Sequence, residues 1–201
     1  PFADWKHALD TSLATRFGCS ESDLRPWHLD DPFFQSPPAE GAMSVDRFLH
    51  DADLESLTLR TYDGLGLDVR PVLAHSDLYA REGKSQHAFC IDIDREGDVR
   101  VLANLQPTQR WMDTMLHELG HASFDVGLDP SLPWVLRDAH LVVTEGIALL
   151  MGSLAAEPAW LVSVLGADPE EVASLAPALR ASAAADALLF TRWVLVMTNF
   201  E

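Results

Sequence analysis

The sequence predicts a mainly α-helical chain carrying one small antiparallel β-hairpin, and three observations support that class. Apolar residues recur at helical spacing through most of the chain; the period changes to strict alternation only between His87 and Leu105; helical spacing resumes directly after Pro107 and Thr108. The 201 residues, 48% hydrophobic and 22% charged, suffice for a sizeable core in one or two domains. That balance excludes disorder and low complexity, and no internal repeat indicates a solenoid. A net charge of −17 and a pI near 4.6 repel the phosphates of nucleic acid and of anionic lipid, so neither is an expected partner. The least charged stretch, Gly146 to Ala156, has eleven residues, against the roughly 20 apolar residues of a spanning helix. A soluble, cytoplasmic protein with no membrane partner is therefore expected. Cys19 and Cys90 are too widely spaced for a metal-binding pair and too few for a disulfide scaffold, and free thiols are expected.

The elements follow in order. Phe2, Trp5, Leu9, Leu13 and Phe17 keep helical spacing and Gly18 closes the turn, which predicts a surface helix. From Ser20 to Met43 the prolines at 26, 32, 37 and 38 predict an irregular connection. Ser44 is the expected N-cap of a helix through Val45, Phe48, Leu49, Leu57 and Leu59, ending at Gly64 and Gly66. Phe89, Ile91 and Ile93 then alternate with Ala88, Cys90, Asp92 and Asp94; residues 95–98 supply a turn and Val99, Val101 and Ala103 resume the alternation. After this hairpin, Trp111, Met112, Met115, Leu116, Leu119 and Ala122 predict a helix to Gly127. A helix from Pro133 through Met151, a shorter one over Ala159 to Leu165, and one from Ala178 to Glu201 complete the chain, with Asp168 and Pro169 as a start signal and Pro177 as an interruption. The last helix has hardly any polar face, as expected of one surrounded by protein. The start at Pro1, without an initiator Met, and the end at Glu201 in mid-pattern predict a piece of a larger protein whose remainder is a partner. Residues 1–86 read as a helical, loop-rich N-terminal segment, and 87–201 as the segment that carries the chemistry, in one domain or part of a larger one.

That chemistry rests on His117, Glu118, Leu119, Gly120 and His121, which spell HExxH inside a predicted helix. Positions i and i+4 lie on one helical face one turn apart, so two imidazoles can share a metal ion with Glu118 beside it. Glu145 follows His121 by 24 residues in a second, apolar helix, where a carboxylate is costly to bury unless paired or metal-bound. Two His, one Glu and a water make the open tetrahedral site of catalytic zinc, so Zn2+ is the expected cofactor.

From about His87 to Met151 the sequence resembles zinc metallopeptidases of the HExxH plus Glu class, the gluzincins, and among them the angiotensin-converting-enzyme and thimet-oligopeptidase relatives. In the converting-enzyme family a His-Ala pair 30 residues before the first ligand holds the substrate backbone; His87 and Ala88 stand at that spacing here. Leu132, Pro133, Trp134, Val135, Leu136 and Arg137 are similar to the Leu-Pro-x-x-Leu-Arg that leads into the third-ligand helix, and Leu24, Arg25, Pro26 and Trp27 to an upstream Pro-Trp element. The resemblance implies a helical zinc-peptidase segment with a small edge sheet before the HExxH helix, acting on short peptides as a peptidyl-dipeptidase, with thimet-type oligopeptidase activity or zinc binding without turnover as the alternatives. His117, His121 and Glu145 would hold the metal, Glu118 would act as general base and then acid, and the strand at His87 and Ala88 would align the peptide by main-chain hydrogen bonds. The chain departs from the family at Leu149, where the converting enzymes carry Asp, and has no downstream Tyr or His after His140. Asp125 reads as a solvated helix-end carboxylate, Asp138 as a capping or salt-bridge residue, His140 as structural, and the Trp residues as packing.

Overall fold

A computed structural model describes residues 2–29, 45–137 and 139–200. The first helix, α1 (Phe2–Phe17), forms as its apolar spacing dictates, burying Leu9, Leu13 and Ala14. It stops at Gly18, whose φ of 63° lies in the left-handed region open to glycine. Two short 3-10 turns follow, Glu21–Asp23 and Pro26–Leu29; the rest of the proline-rich connection, and the Ser44 cap, lie outside the described residues. Trp27, expected to pack, is 72% exposed.

The single helix expected up to Gly64 is two, α2 (Asp46–Leu49) and α3 (Leu54–Gly64). The break falls where Asp53 can cap: its carboxylate accepts the Glu55 and Ser56 amides at 3.1 and 3.3 Å, satisfying donors that a continuing helix would have used otherwise. A further helix, α4 (Arg70–His75), precedes an extended strap. The strap pairs with the hairpin, Asp77 N–H donating to the Val101 carbonyl and the Ala103 amide to that of Asp77, both at 2.9 Å. The buried Lys84 ammonium fastens it, donating to the carbonyls of Asp77, Tyr79 and Ala103.

The hairpin is β1 (Phe89–Asp92) and β2 (Val99–Leu102), antiparallel with Phe89 opposite Leu102 and Asp92 opposite Val99. Gly97 turns the chain with a φ of 114°. Val99 and Val101 are buried and Cys90 half-buried on one face, whereas Phe89, Ile91 and Ile93 are exposed on the other.

Helix α5 (Gln109–Val126) starts at Thr108, whose hydroxyl accepts the Trp111 amide at 3.3 Å, and the Asp46 carboxylate takes the Gln109 amide at 2.6 Å. Its core face is Met112, Met115, Leu116, Leu119 and Ala122. The apolar run after Pro133 divides into α6 (Trp134–Arg137) and α7 (Leu141–Ser153). His140 accounts for the second start, its Nδ1 accepting the Val142 amide at 3.1 Å. A 3-10 turn (Leu154–Ala156), α8 (Pro158–Trp160) and a π-helical turn (Leu161–Leu165) follow; the Trp160 indole donates to the Thr61 hydroxyl at 2.9 Å.

Helix α9 (Pro169–Phe200) is capped by Asp168, which accepts the Glu170 and Glu171 amides. Pro177 does not interrupt it. Proline removes one donor and crowds the preceding turn, but the neighbouring run of Ala and Leu, the best helix formers, keeps the chain helical. By length and composition α9 could cross a membrane. Within this chain Phe190, Leu195, Val196 and Phe200 are exposed.

The chain forms two compact units, Pro1–Met43 with Leu175–Glu201, and Ser44–Ser174. Within the second unit the strap at Asp77 and Lys84 pairs with β2, and α3 is pinned to α8.

Candidate metal centre

Helix α5 presents His117 and His121 one turn apart, and their Nε2 atoms stand 3.2 Å from each other. Helix α7 brings Glu145 to the same point, with Oε2 3.7 Å from His117 Nε2 and Oε1 3.6 Å from His121 Nε2. Tetrahedral zinc with ligand bonds of about 2.0–2.1 Å places neighbouring donors roughly 3.4 Å apart, close to the separations between the two imidazole nitrogens and the Glu145 carboxylate. Among the described residues these three form the one group of His, Cys, Asp or Glu with metal-binding spacing. Burial and the neighbouring His121 hold the His117 imidazole below its ordinary pKa, which favours the neutral form that ligates.

Both helices are held from behind. The Tyr62 hydroxyl, fully buried on α3, donates to the Leu116 carbonyl at 2.7 Å, immediately before His117. On the other helix, Ala148 lies three residues after Glu145 and is wholly buried against α5.

Glu118 is buried, with 9% of its surface exposed. Its carboxylate accepts the Cys90 amide of β1, and burial with the nearby Glu145 charge pushes its pKa up to about 7. An acid so placed can both take and return a proton near neutrality. The Cys90 contact also fixes the direction of the strand. In an antiparallel pair a residue's N–H and C=O point the same way, so Cys90, and by alternation Ala88, direct their amide groups to the outer edge of β1, away from β2. His87 is exposed; its amide and carbonyl both meet the Ser85 hydroxyl. His87 and Ala88 both precede the strand, which begins at Phe89.

Asp125 is not the solvated residue expected. It is half-buried beside β1, and burial with the Asp92 charge raises its pKa while His121 opposes the rise. Residues four apart on a helix share a face, so Asp125 stands on the same face of α5 as His121. Leu149 is partly exposed at 45%; His140 is the α7 cap; Asp138 lies outside the described residues. Tyr79 is exposed and bonded to Glu55. Sequence spacing pointed to His117, His121 and Glu145, which the structure brings together, and to Glu118 beside them in sequence. It missed Tyr62, whose only signal is an aromatic at a helical core position, and the Cys90 amide, a backbone group with no signature. Compared with known proteins, the chain matches no family model and none of the curated proteins.

Proposed function

We propose that the chain carries the catalytic centre of a zinc-dependent peptidase that cuts short peptides in the manner of a peptidyl-dipeptidase. One observation carries the reading: two imidazoles and a carboxylate from two helices converge at metal-binding spacing, with the buried Glu118 carboxylate next in sequence to the first of them. Zinc held by His117, His121 and Glu145 would supply Lewis-acid polarisation of a scissile carbonyl and acidify the attacking water. Glu118, adjacent to the first ligand, takes the proton from that water and delivers it to the leaving amine. The outer edge of β1, beside Ala88, pairs with the peptide backbone, which sets register without reading sequence.

The test incubates a mixed synthetic peptide pool with the zinc-loaded chain and reads products by mass spectrometry. C-terminal dipeptides support the proposal, and internal cuts reassign the chain to thimet-type oligopeptidase action. Glu118→Gln is expected to keep zinc and lose about 10²- to 10⁴-fold in turnover, the usual contribution of a positioned proton acceptor. Zinc binding by the wild type without cleavage of any peptide overturns the peptidase reading and leaves a zinc-binding module.

A further inference from the structure

We infer that Gly120 is the positioning residue of the metal centre: its missing side chain lets α7 approach α5 closely enough for Glu145 to reach the two histidines. The inference rests on the zinc site proposed above. Gly120 lies within α5, at ordinary helical dihedrals, where glycine is a poor helix former and brings no conformational advantage. Its use is the space it leaves. A methyl group there would stand 2.8 Å from the Ala148 Cα, 3.3 Å from the Ala148 amide nitrogen and 3.4 Å from the Met151 Cγ. The first two are backbone atoms of α7, so no side-chain rotation relieves the contact; the helices themselves must separate by several tenths of an ångström.

The contact is placed where separation matters most. Gly120 immediately precedes His121 and Ala148 is less than one turn beyond Glu145, so this crossing is the nearest fixed point to the 3.6 and 3.7 Å spans between Glu145 and the imidazoles. Metal–ligand bonds tolerate only about 0.2 Å. Pushing α7 outward withdraws the carboxylate from its ligands by more than that. The second close approach on the same helix pair serves as an internal comparison. A methyl at Gly152 would meet the Asp113 side chain, 2.5 Å from its Oδ1, two turns along α7 from Glu145 and on the opposite side of the Ala148 contact.

The experiment measures zinc affinity by competition with a chromophoric chelator, and ligand geometry by the visible spectrum of the cobalt-substituted chain, with far-UV circular dichroism to establish folding. Gly120→Ala is expected to weaken zinc by about 10- to 100-fold, the range for residues that orient ligands, and to lower the intensity of the tetrahedral cobalt bands. Gly152→Ala is expected to unfold at a lower temperature yet bind zinc within about threefold of wild type. Glu145→Asp, which shortens the ligand without touching the helix contact, reads the same span should Gly120→Ala fail to fold, and is expected to weaken zinc to a similar degree. Wild-type affinity in folded Gly120→Ala, or in Glu145→Asp, overturns the inference alone. Equal weakening in Gly152→Ala overturns it too, since the effect would then be general to the helix pair. Failure of the wild-type chain to bind zinc overturns both this inference and the site it rests on.

Discussion

Cys90 sits on the inner face of β1 among Glu118, Asp125 and Asp92, and burial together with those three carboxylates pushes its thiol up to about 12. Only the thiolate is a nucleophile, so at pH 8 Cys90 carries on the order of 10³-fold less reactive form than a thiol of ordinary pKa near 8.5. Iodoacetamide at pH 8 is therefore expected to leave Cys90 unmodified in the native chain and to label it fully in denaturant, as peptide mass spectrometry would report. The same shift has a sign for stability. The unfolded thiol ionises from about 9 upward while the folded one stays protonated to about 12, so the contribution is intact below pH 9 and falls as pH rises through that window. Replacing Cys90 by Ala should flatten that alkaline loss of stability; an unchanged slope would assign it elsewhere. None of this is visible in the sequence, where Cys90 is one alternating position in a strand, because its neighbours come from α5. The candidate metal donors were legible for the opposite reason: the His pair is a local i, i+4 relation and Glu145 is conspicuous as a charge in an apolar helix.

Elements whose signals are local came out as read. Helix α1 has its spacing and its Gly18 stop, the hairpin its alternation around a turn, and α5 its apolar spacing up to Gly127. The errors arise where two local signals compete. A helix from Ser44 and a helix from Asp53 are both allowed by the apolar spacing, and the Asp53 carboxylate decides, engaging two amides and the Ser56 hydroxyl at 2.6 Å. His140 likewise divides α6 from α7, since imidazole is an uncommon cap that the pattern does not advertise. At Pro177 the helical propensity of the neighbours wins. Gly120 was invisible as a requirement because α7 imposes it. Asp53→Ala is expected to cost about 1 kcal/mol, the usual value of an N-cap, measured by urea unfolding at pH 7. Its hydrogen bonds from Ser56 and Glu55 hold the carboxyl below 3.8, so the native cap contributes fully above that pH and loses its contribution as pH falls through the depressed folded value. Wild type and Asp53→Ala should converge in acid; a gap that persists at pH 2 would mean that the cap does not act through its ionised form.

At the scale of the whole molecule, the candidate metal donors occupy two elements of one compact unit, Ser44–Ser174, with His121 and Glu145 24 residues apart in sequence. Zinc held at that point, as proposed, would be a cross-link between α5 and α7 that exists only when the two helices are packed. The unfolded chain keeps the His pair at i, i+4 but loses the third donor, so an ion held by all three would bind the folded state preferentially and stabilise it by mass action. At zinc 100-fold above its dissociation constant the gain is about 2.7 kcal/mol, which for a chain of this size corresponds to roughly 5–10 °C in Tm. Calorimetry with zinc and then with excess chelator is expected to show that rise and its reversal. Glu145→Gln should remove most of it while Glu118→Gln keeps it, because only the first withdraws a ligand. A limited-proteolysis series adds the spatial test: the ion should slow cleavage in α5 and α7 and leave the rate in the stretch of α9 beyond Leu175 unchanged, since that stretch belongs to the other unit. Equal protection throughout would mean that the two units unfold as one, and an unshifted Tm would remove the cross-link altogether.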